Sequence, residues 1–297
     1  MRRTIVAFLS LTLLGNVAYA APKKPTGANQ PVAYGSNPKA GKTFTHDGVQ
    51  LYYEVYGTGE PVLLIHGNGA SIAAMKFQIE YFRKRYKVIA MDSRDHGKSG
   101  SSPDPITYEK MTDDLAALLD HLQTGPVNVI GWSDGGIEAL LLGIRHPAQV
   151  KKLASMAANL VPNGLHPDTL KFIHATLDAM PPAAQQTAEQ KREVKVTTMM
   201  LSEPQIPLGA LEAITAPTLV LAGDHDAILD EHTLDIYHHL PNSQLCIFPD
   251  ATHGIPVDNP ALFNSTVDRF FRTRFVKKDR IQDLLKTLET LKAPEKH

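Results

Sequence analysis

Residues 126–136 read Pro126-Val127-Asn128-Val129-Ile130-Gly131-Trp132-Ser133-Asp134-Gly135-Gly136. The run from Val127 to Ile130 has the length and β-branched character of a buried strand. Beyond it, Ile137 to Ile144 reads as a helix that His146-Pro147 stops. Ser133 stands between the two, with glycine two residues before it (Gly131) and two residues after it (Gly135). G-x-S-x-G alone is a weak signal. Between a strand and a helix it describes a sharp turn that lifts the serine hydroxyl above a sheet.

Outward from this turn, short apolar runs alternate with helical patterns. Val62 to Ile65, Val88 to Met91, Leu153 to Met156, Thr218 to Ala222 and Gln244 to Phe248 are predicted strands. Thr43 to Thr45 and Leu51 to Tyr56 flank His46-Asp47-Gly48 as a hairpin. Met111, Leu115, Leu118, Leu119 and Leu122 recur with the spacing of one helix face. Continuous apolar strands separated by helices imply a mostly parallel sheet covered on both faces, so the fold class is α/β. From about 159 to 207 the alternation breaks. Pro167 to Met180 and Thr187 to Leu201 read as two helices separated by Pro181-Pro182, a small helical cap above the sheet. Near the C-terminus, Ile281, Leu284, Leu285, Leu288 and Leu291 form an apolar stripe, expected to dock on its own domain, with a dimer contact as the alternative.

A serine hydroxyl is a poor nucleophile until a base within hydrogen-bond reach activates it and a third group orients that base. Thr252-His253-Gly254 follows the last predicted strand, which puts His253 at the same sheet edge as Ser133. The acid should come from Gly223-Asp224-His225-Asp226-Ala227, after the strand beginning at Thr218. Asp226 lies far enough into that loop to turn back towards His253, and Asp224 is second choice. The oxyanion needs backbone donors. The N–H of Asp134 is one; Asn68, in the loop His66-Gly67-Asn68-Gly69-Ala70-Ser71, is the preferred source of the other, ahead of Gly69. Trp132 and Asp134 flank the serine and are expected substrate contacts. The Asp134 carboxylate has two readings, pairing with a substrate cation or capping the helix that follows. Asp224, His225, Asp226 and His232 carry no second ligand group at metal-site spacing, so neither metal nor cofactor is expected.

Over about residues 43 to 275 the sequence resembles the α/β-hydrolase superfamily, in strand order, in the His66-Gly67 loop, in the Ser133 turn and in the chain order Ser, Asp, His. Asp92-Ser93-Arg94-Asp95-His96-Gly97-Lys98-Ser99 is similar to that family's D-x-R-G-x-G-x-S stretch, with Asp95 where the family usually has Gly. Gly131-Trp132-Ser133-Asp134-Gly135-Gly136 resembles the turn of the biphenyl hydrolase-like (valacyclovir hydrolase) branch. The resemblance implies an α/β-hydrolase fold and a serine hydrolase cleaving carboxylic esters of small molecules through an acyl-serine. A lactonase or carbon–carbon bond hydrolase would use the same residues; a non-catalytic binding protein on this fold is the reading from another class. The nucleophile position in this superfamily can also be Asp, but Asp134 has Trp132, not Gly, two residues before it.

Composition bounds the rest. The 297 residues carry 30 Lys+Arg against 31 Asp+Glu, which leaves no basic excess to meet nucleic-acid phosphates. Arg2 and Arg3, the apolar run Ile5 to Leu14, and Ala18-Tyr19-Ala20 read as a signal peptide over 1–20, cleaved after Ala20. That run falls short of the roughly 20 apolar residues that span a bilayer, so no stable membrane span is expected. The protein is therefore expected to be exported, periplasmic or secreted. Residues 21–41, rich in Pro, Gly, Ala, Lys and Asn, read as a flexible linker before a domain over 42–297. The single cysteine, Cys246, reads as a core thiol without an internal disulfide partner.

Overall fold

The computed structural model describes residues 32–292; the expected leader, and the linker up to residue 31, lie outside them. Eight strands form one sheet: β1 (Gly41–His46), β2 (Val49–Tyr56), β3 (Glu60–Ile65), β4 (Tyr86–Met91), β5 (Val127–Trp132), β6 (Val150–Met156), β7 (Thr218–His225) and β8 (Ser243–Thr252). Their spatial order is β1-β2-β4-β3-β5-β6-β7-β8. The β1–β2 and β2–β4 pairs are antiparallel and every other pair is parallel. The strand order reverses at β3, whose neighbours are β4 and β5. Loops leaving β3 and β5 therefore diverge to opposite sides and leave a crevice at the carboxyl edge, where open α/β sheets bind ligands.

Helices cover both faces. On one side, α2 (Tyr108–His121) and α3 (Asp134–Arg145) pack Leu115, Leu118, Leu119, Leu140 and Leu142 against Leu63, Ile65, Val127 and Val129. On the other, α1 (Lys76–Phe82) and α8 (Pro260–Arg272) bring Ile79, Phe82, Phe263 and Val267 onto Val62, Leu64, Val88 and Ile130. Each of these side chains is at most 1% exposed. Burying a Val, Leu, Ile or Phe side chain contributes about 1.5–3 kcal/mol, so the two layers fix the central strands firmly. Between β6 and β7 the chain forms α4 (Pro167–Asp178) and α5 (Ala188–Ser202), the latter opened by a capping box between Thr187 and Gln190. The remaining helices among the described residues are α6 (Asp230–His239), α7 (Ile255–Asp258) and α9 (Arg280–Lys292).

One boundary and one packing expectation differ from the sequence reading. Residues 33–40, expected as linker, are docked on the domain: Gly35 and Asn37 donate their N–H groups to the Glu54 carboxylate at 2.8 and 2.9 Å. Glu54 is fully buried and also accepts from the Tyr52 and Tyr56 hydroxyls, both at 2.7 Å. A carboxylate that deep needs every lone pair met, and the strap supplies two of the donors. The second correction is α9, whose stripe is not docked: Ile281, Leu284, Leu285, Leu288 and Leu291 are 43–78% exposed. Among the described residues no helix is long and apolar enough to cross a membrane. Cys246 is half-buried on the edge strand β8, where burial pushes its thiol pKa up.

Candidate active site

Ser133 occupies the one-residue joint between β5 and α3, at φ 60° and ψ −120°. A non-glycine residue there is strained and persists only where its surroundings impose it. The two flanking glycines are what allow this. A Cβ on Gly131 would lie 1.9 Å from the Gly135 carbonyl oxygen, and one on Gly135 would lie 2.3 Å from that of Ile65. No other residue fits either position without moving backbone. The first helical turn is thus pressed onto the end of β3, and the loop after β3 passes beside the serine. A Cβ at Gly67 would come within 3.0 Å of the Ser133 Cβ.

His253 fills the gap between β8 and α7, and Asp226 directly follows β7. The Asp226 carboxylate, 1% exposed, faces His253 Nδ1 at 2.7 Å. Its orientation is set by the N–H of Gly223, donating to Oδ2 at 3.0 Å, and that of Ile228, donating to Oδ1 at 3.3 Å. The second choice, Asp224, does not reach the histidine. It accepts from Asp250 and Ala251 N–H at 3.0 and 2.9 Å, and these bonds hold its carboxyl below its ordinary pKa. His253 is tied to the serine turn through its own backbone, because the Trp132 indole N–H donates to the His253 carbonyl at 2.9 Å. Ser133 and His253 are both partly exposed. Among the described residues no hydrogen bond joins their side chains; in unliganded sites that contact commonly tightens only when substrate binds.

Both expected oxyanion donors sit beside the serine. Asp134 is the first residue of α3, so its N–H has no carbonyl one turn back. Asn68 is in the turn closed by Ala70 N–H to Gly67 O at 3.2 Å. Its side-chain amide donates to Asp134 Oδ2 at 2.9 Å and to the Val196 carbonyl of α5 at 3.0 Å. Two acceptors on Nδ2 fix which way the amide faces.

Trp132 and Asp134, the expected substrate contacts, both have protein partners for the polar groups of their side chains. The Trp132 N–H is taken by His253. The Asp134 carboxylate is buried with its residue 3% exposed, held by Asn68 and the Tyr108 hydroxyl, and caps nothing. Burial raises its pKa, opposed by those two hydrogen bonds and by His96 and His253. One turn along α3, Glu138 is fully buried with both carboxyl oxygens unpartnered. Burial first, then Asp134 and Asp114, push its pKa well above the usual carboxylate range.

Several supporting residues were not foreseen. His66 is buried, its Nδ1 facing the Gly67 carbonyl at 2.8 Å while Nε2 accepts from Ser93 N–H at 3.1 Å. His96 is buried beside it, with ring centres 5.2 Å apart. Burial lowers both to about 4, so each is neutral at neutral pH. Arg94 makes a bidentate pair with buried Asp114 at 2.6 and 2.7 Å, pinning the loop after β4 to α2. The signals available were the i, i+4 placement of Asp134 and Glu138 on one helix face and the unusual pair of buried-loop histidines. The residues weighed as a metal cluster are dispersed: Asp224 binds backbone of 250–251, and His232 Nε2 accepts from Leu160 N–H. Among the described residues no group of three or more His, Cys, Asp or Glu is placed to hold a metal ion.

A family model described as alpha/beta hydrolase fold matches residues 60–199. Together with the sheet order and the serine turn, that match makes this chain a member of the α/β-hydrolase superfamily, and a hydrolase. Its similarity extends to the biphenyl hydrolase-like branch: serine hydrolase BPHL of Mus musculus is 25% identical over 76% of this chain and 84% of its own length. The 3-oxoadipate enol-lactonase 2 of Acinetobacter baylyi is 28% identical over 76% of this chain and 94% of its own. Among solved structures, a thermophilic esterase from Thermogutta terrifontis superimposes with a TM-score of 0.65, at 25% identity over 78% of this chain and 97% of that one.

Proposed function

We propose that this hydrolase cleaves carboxylic esters of small molecules through an acyl-serine intermediate formed on Ser133. The observation that carries the reading is the strained Ser133 backbone, held above the sheet by Gly131 and Gly135 beside an oriented His253–Asp226 pair. In the reaction, Ser133 Oγ attacks the acyl carbon and its proton passes to His253 Nε2. Asp226 holds Nδ1–H and stabilises the imidazolium. The N–H groups of Asn68 and Asp134 bind the oxygen that becomes negative. Collapse of the tetrahedral intermediate expels the alcohol, which takes the proton from His253. Water, deprotonated by His253, then releases the acid and restores Ser133.

Opening a lactone ring follows the same steps with the alcohol still tethered to the acyl group. The similarity to an enol-lactonase makes lactones the first extension of a substrate panel. By its leader-like N-terminus, the chain is also proposed to be exported and cut after Ala20. N-terminal sequencing of the mature protein checks that directly. For the chemistry, a fluorophosphonate probe should label Ser133, and Ser133→Ala should lower turnover of short p-nitrophenyl esters by about 10⁶-fold. An unlabelled parent, or a variant as active as the parent, would exclude the serine mechanism and favour a non-catalytic binding role.

A further inference from the structure

Asp95 has a φ of 62°, in the left-handed region that favours glycine. Asp tolerates that region better than most residues, but at some strain. Its side chain shows what is gained. The carboxylate is fully buried and accepts from Lys195 Nζ of α5 at 2.9 Å on Oδ2. Its other oxygen accepts from the Ser101 hydroxyl. Lys195, still 24% exposed, also donates to the Ser102 carbonyl at 2.6 Å. The loop after β4 therefore holds one cap lysine through two acceptors.

The next residue on α5 is Val196, whose carbonyl accepts from Asn68 Nδ2. The same amide nitrogen donates to Asp134. One turn of the cap is thus bonded to two loops of the sheet edge at consecutive residues, and the second bond ends on the side chain of the residue assigned as oxyanion donor. Val196 is 1% exposed, so its helical turn lies against the site rather than over open solvent.

Resting on the serine-hydrolase reading, we propose that Lys195 and Asp95 are positioning residues for the oxyanion site. Their buried pair sets where α5 lies. That position presents the Val196 carbonyl to Asn68, and Asn68, held between α5 and Asp134, keeps its own N–H aimed at the developing oxyanion. The cap then acts on the chemical step itself, in addition to any contact it makes with substrate.

The test uses the full chain with Asp95→Asn, Lys195→Met and the double variant, assayed on p-nitrophenyl acetate, whose acyl group is the smallest available. Fluorophosphonate labelling of Ser133 is followed in parallel, because the phosphonyl oxygen occupies the same two N–H groups. Misplacing one donor should lower kcat by about tenfold to a hundredfold with KM little changed, and slow labelling by a similar factor. The double variant should be no worse than the worse single one, because the two side chains act as one unit. Asp95→Gly controls for folding: glycine suits φ 62° and removes the carboxylate, so it should stay folded and show the same loss.

If kcat and labelling in the folded Asp95→Gly and Lys195→Met variants stay within about twofold of the parent, the pair only fastens the cap and the proposal fails. Full activity in Asp95→Gly beside slow Asp95→Asn would overturn it as well, since both lack the pair. Failure of the underlying reading looks different: the parent itself would resist labelling.

Discussion

The serine turn and the cap helix α5 meet at Asn68, yet they are held in place by opposite means. Around Ser133 the constraint is backbone against backbone. Gly131 and Gly135 leave no room for a side chain, and the strained residue sits on strands whose apolar side chains are almost wholly buried. On α5 the constraint is side chain against distant loop: Lys195 on Asp95 across 100 residues of sequence, Asn68 on Val196 across 128. The first arrangement cannot be adjusted without refolding. The second changes with a single substitution, which makes the cap the part of this site that can adjust the rate while the serine turn stays fixed.

If that division is right, substitutions at the sheet edge should remove function and those in the cap should tune it. After Ser133→Ala, the largest loss is expected from Asp226→Asn. It keeps the shape of the side chain but lets the wrong histidine tautomer form, and kcat should fall about 10⁴-fold. Asp224→Asn, two residues away, serves as the contrast: its carboxylate accepts from the N–H groups of Asp250 and Ala251, and kcat should stay near that of the parent. Equal losses in the two variants would mean that the loop, not the acid, matters. Gly135→Ala should come next. Its new Cβ would meet the Ile65 carbonyl at 2.3 Å, so β3 or α3 must move. Overpacking of this kind costs about 1–3 kcal/mol, and rigid backbone on both sides argues for the upper end. A thermal melt unchanged from the parent would show that the turn is softer than its geometry implies.

The sheet was legible because strands buried on both faces are continuous apolar runs, and the site was legible because strand ends lie at one edge. Ser133 could be read from two glycines and their context, and Asp226 from how far its loop must turn to reach His253. Residues 33–40 were misread for a physical reason. Their composition resembles a linker, and nothing in them reveals that Glu54, 17 to 19 residues on, takes two of its donors from their backbone N–H groups. The Asp95–Lys195 pair and the Trp132 bond to His253, across 121 residues, were illegible for the same reason. One sequence records each partner but not their meeting. Asp95 was the nearest thing to a clue, an acid at a turn position that favours glycine. For Asp134, the sequence left two roles open and the structure gives a third, because burial and two donors from other elements decide where a carboxylate points.

The smallest expected effect tests whether α5 is set by its own helix signals or by its contacts. Thr187 opens the helix with a capping box: Gln190 N–H donates to its hydroxyl at 3.2 Å, and its own N–H donates to the Gln190 side chain at 3.0 Å. Thr187→Ala removes one half of that exchange and should cost about 1 kcal/mol, confined to the first turn. Lys195 and Val196 lie two turns further on, fastened independently to the loops after β4 and β3. The first turn should therefore show faster amide exchange in the variant, while the Val196 turn and the rate of Ser133 labelling hold at parental values. A parallel fall in labelling would mean that the cap moves as one rigid piece from its N-terminus. In that case the contrast between a fixed turn and an adjustable cap would have to be redrawn at residue 187 instead of at the Asp95–Lys195 pair.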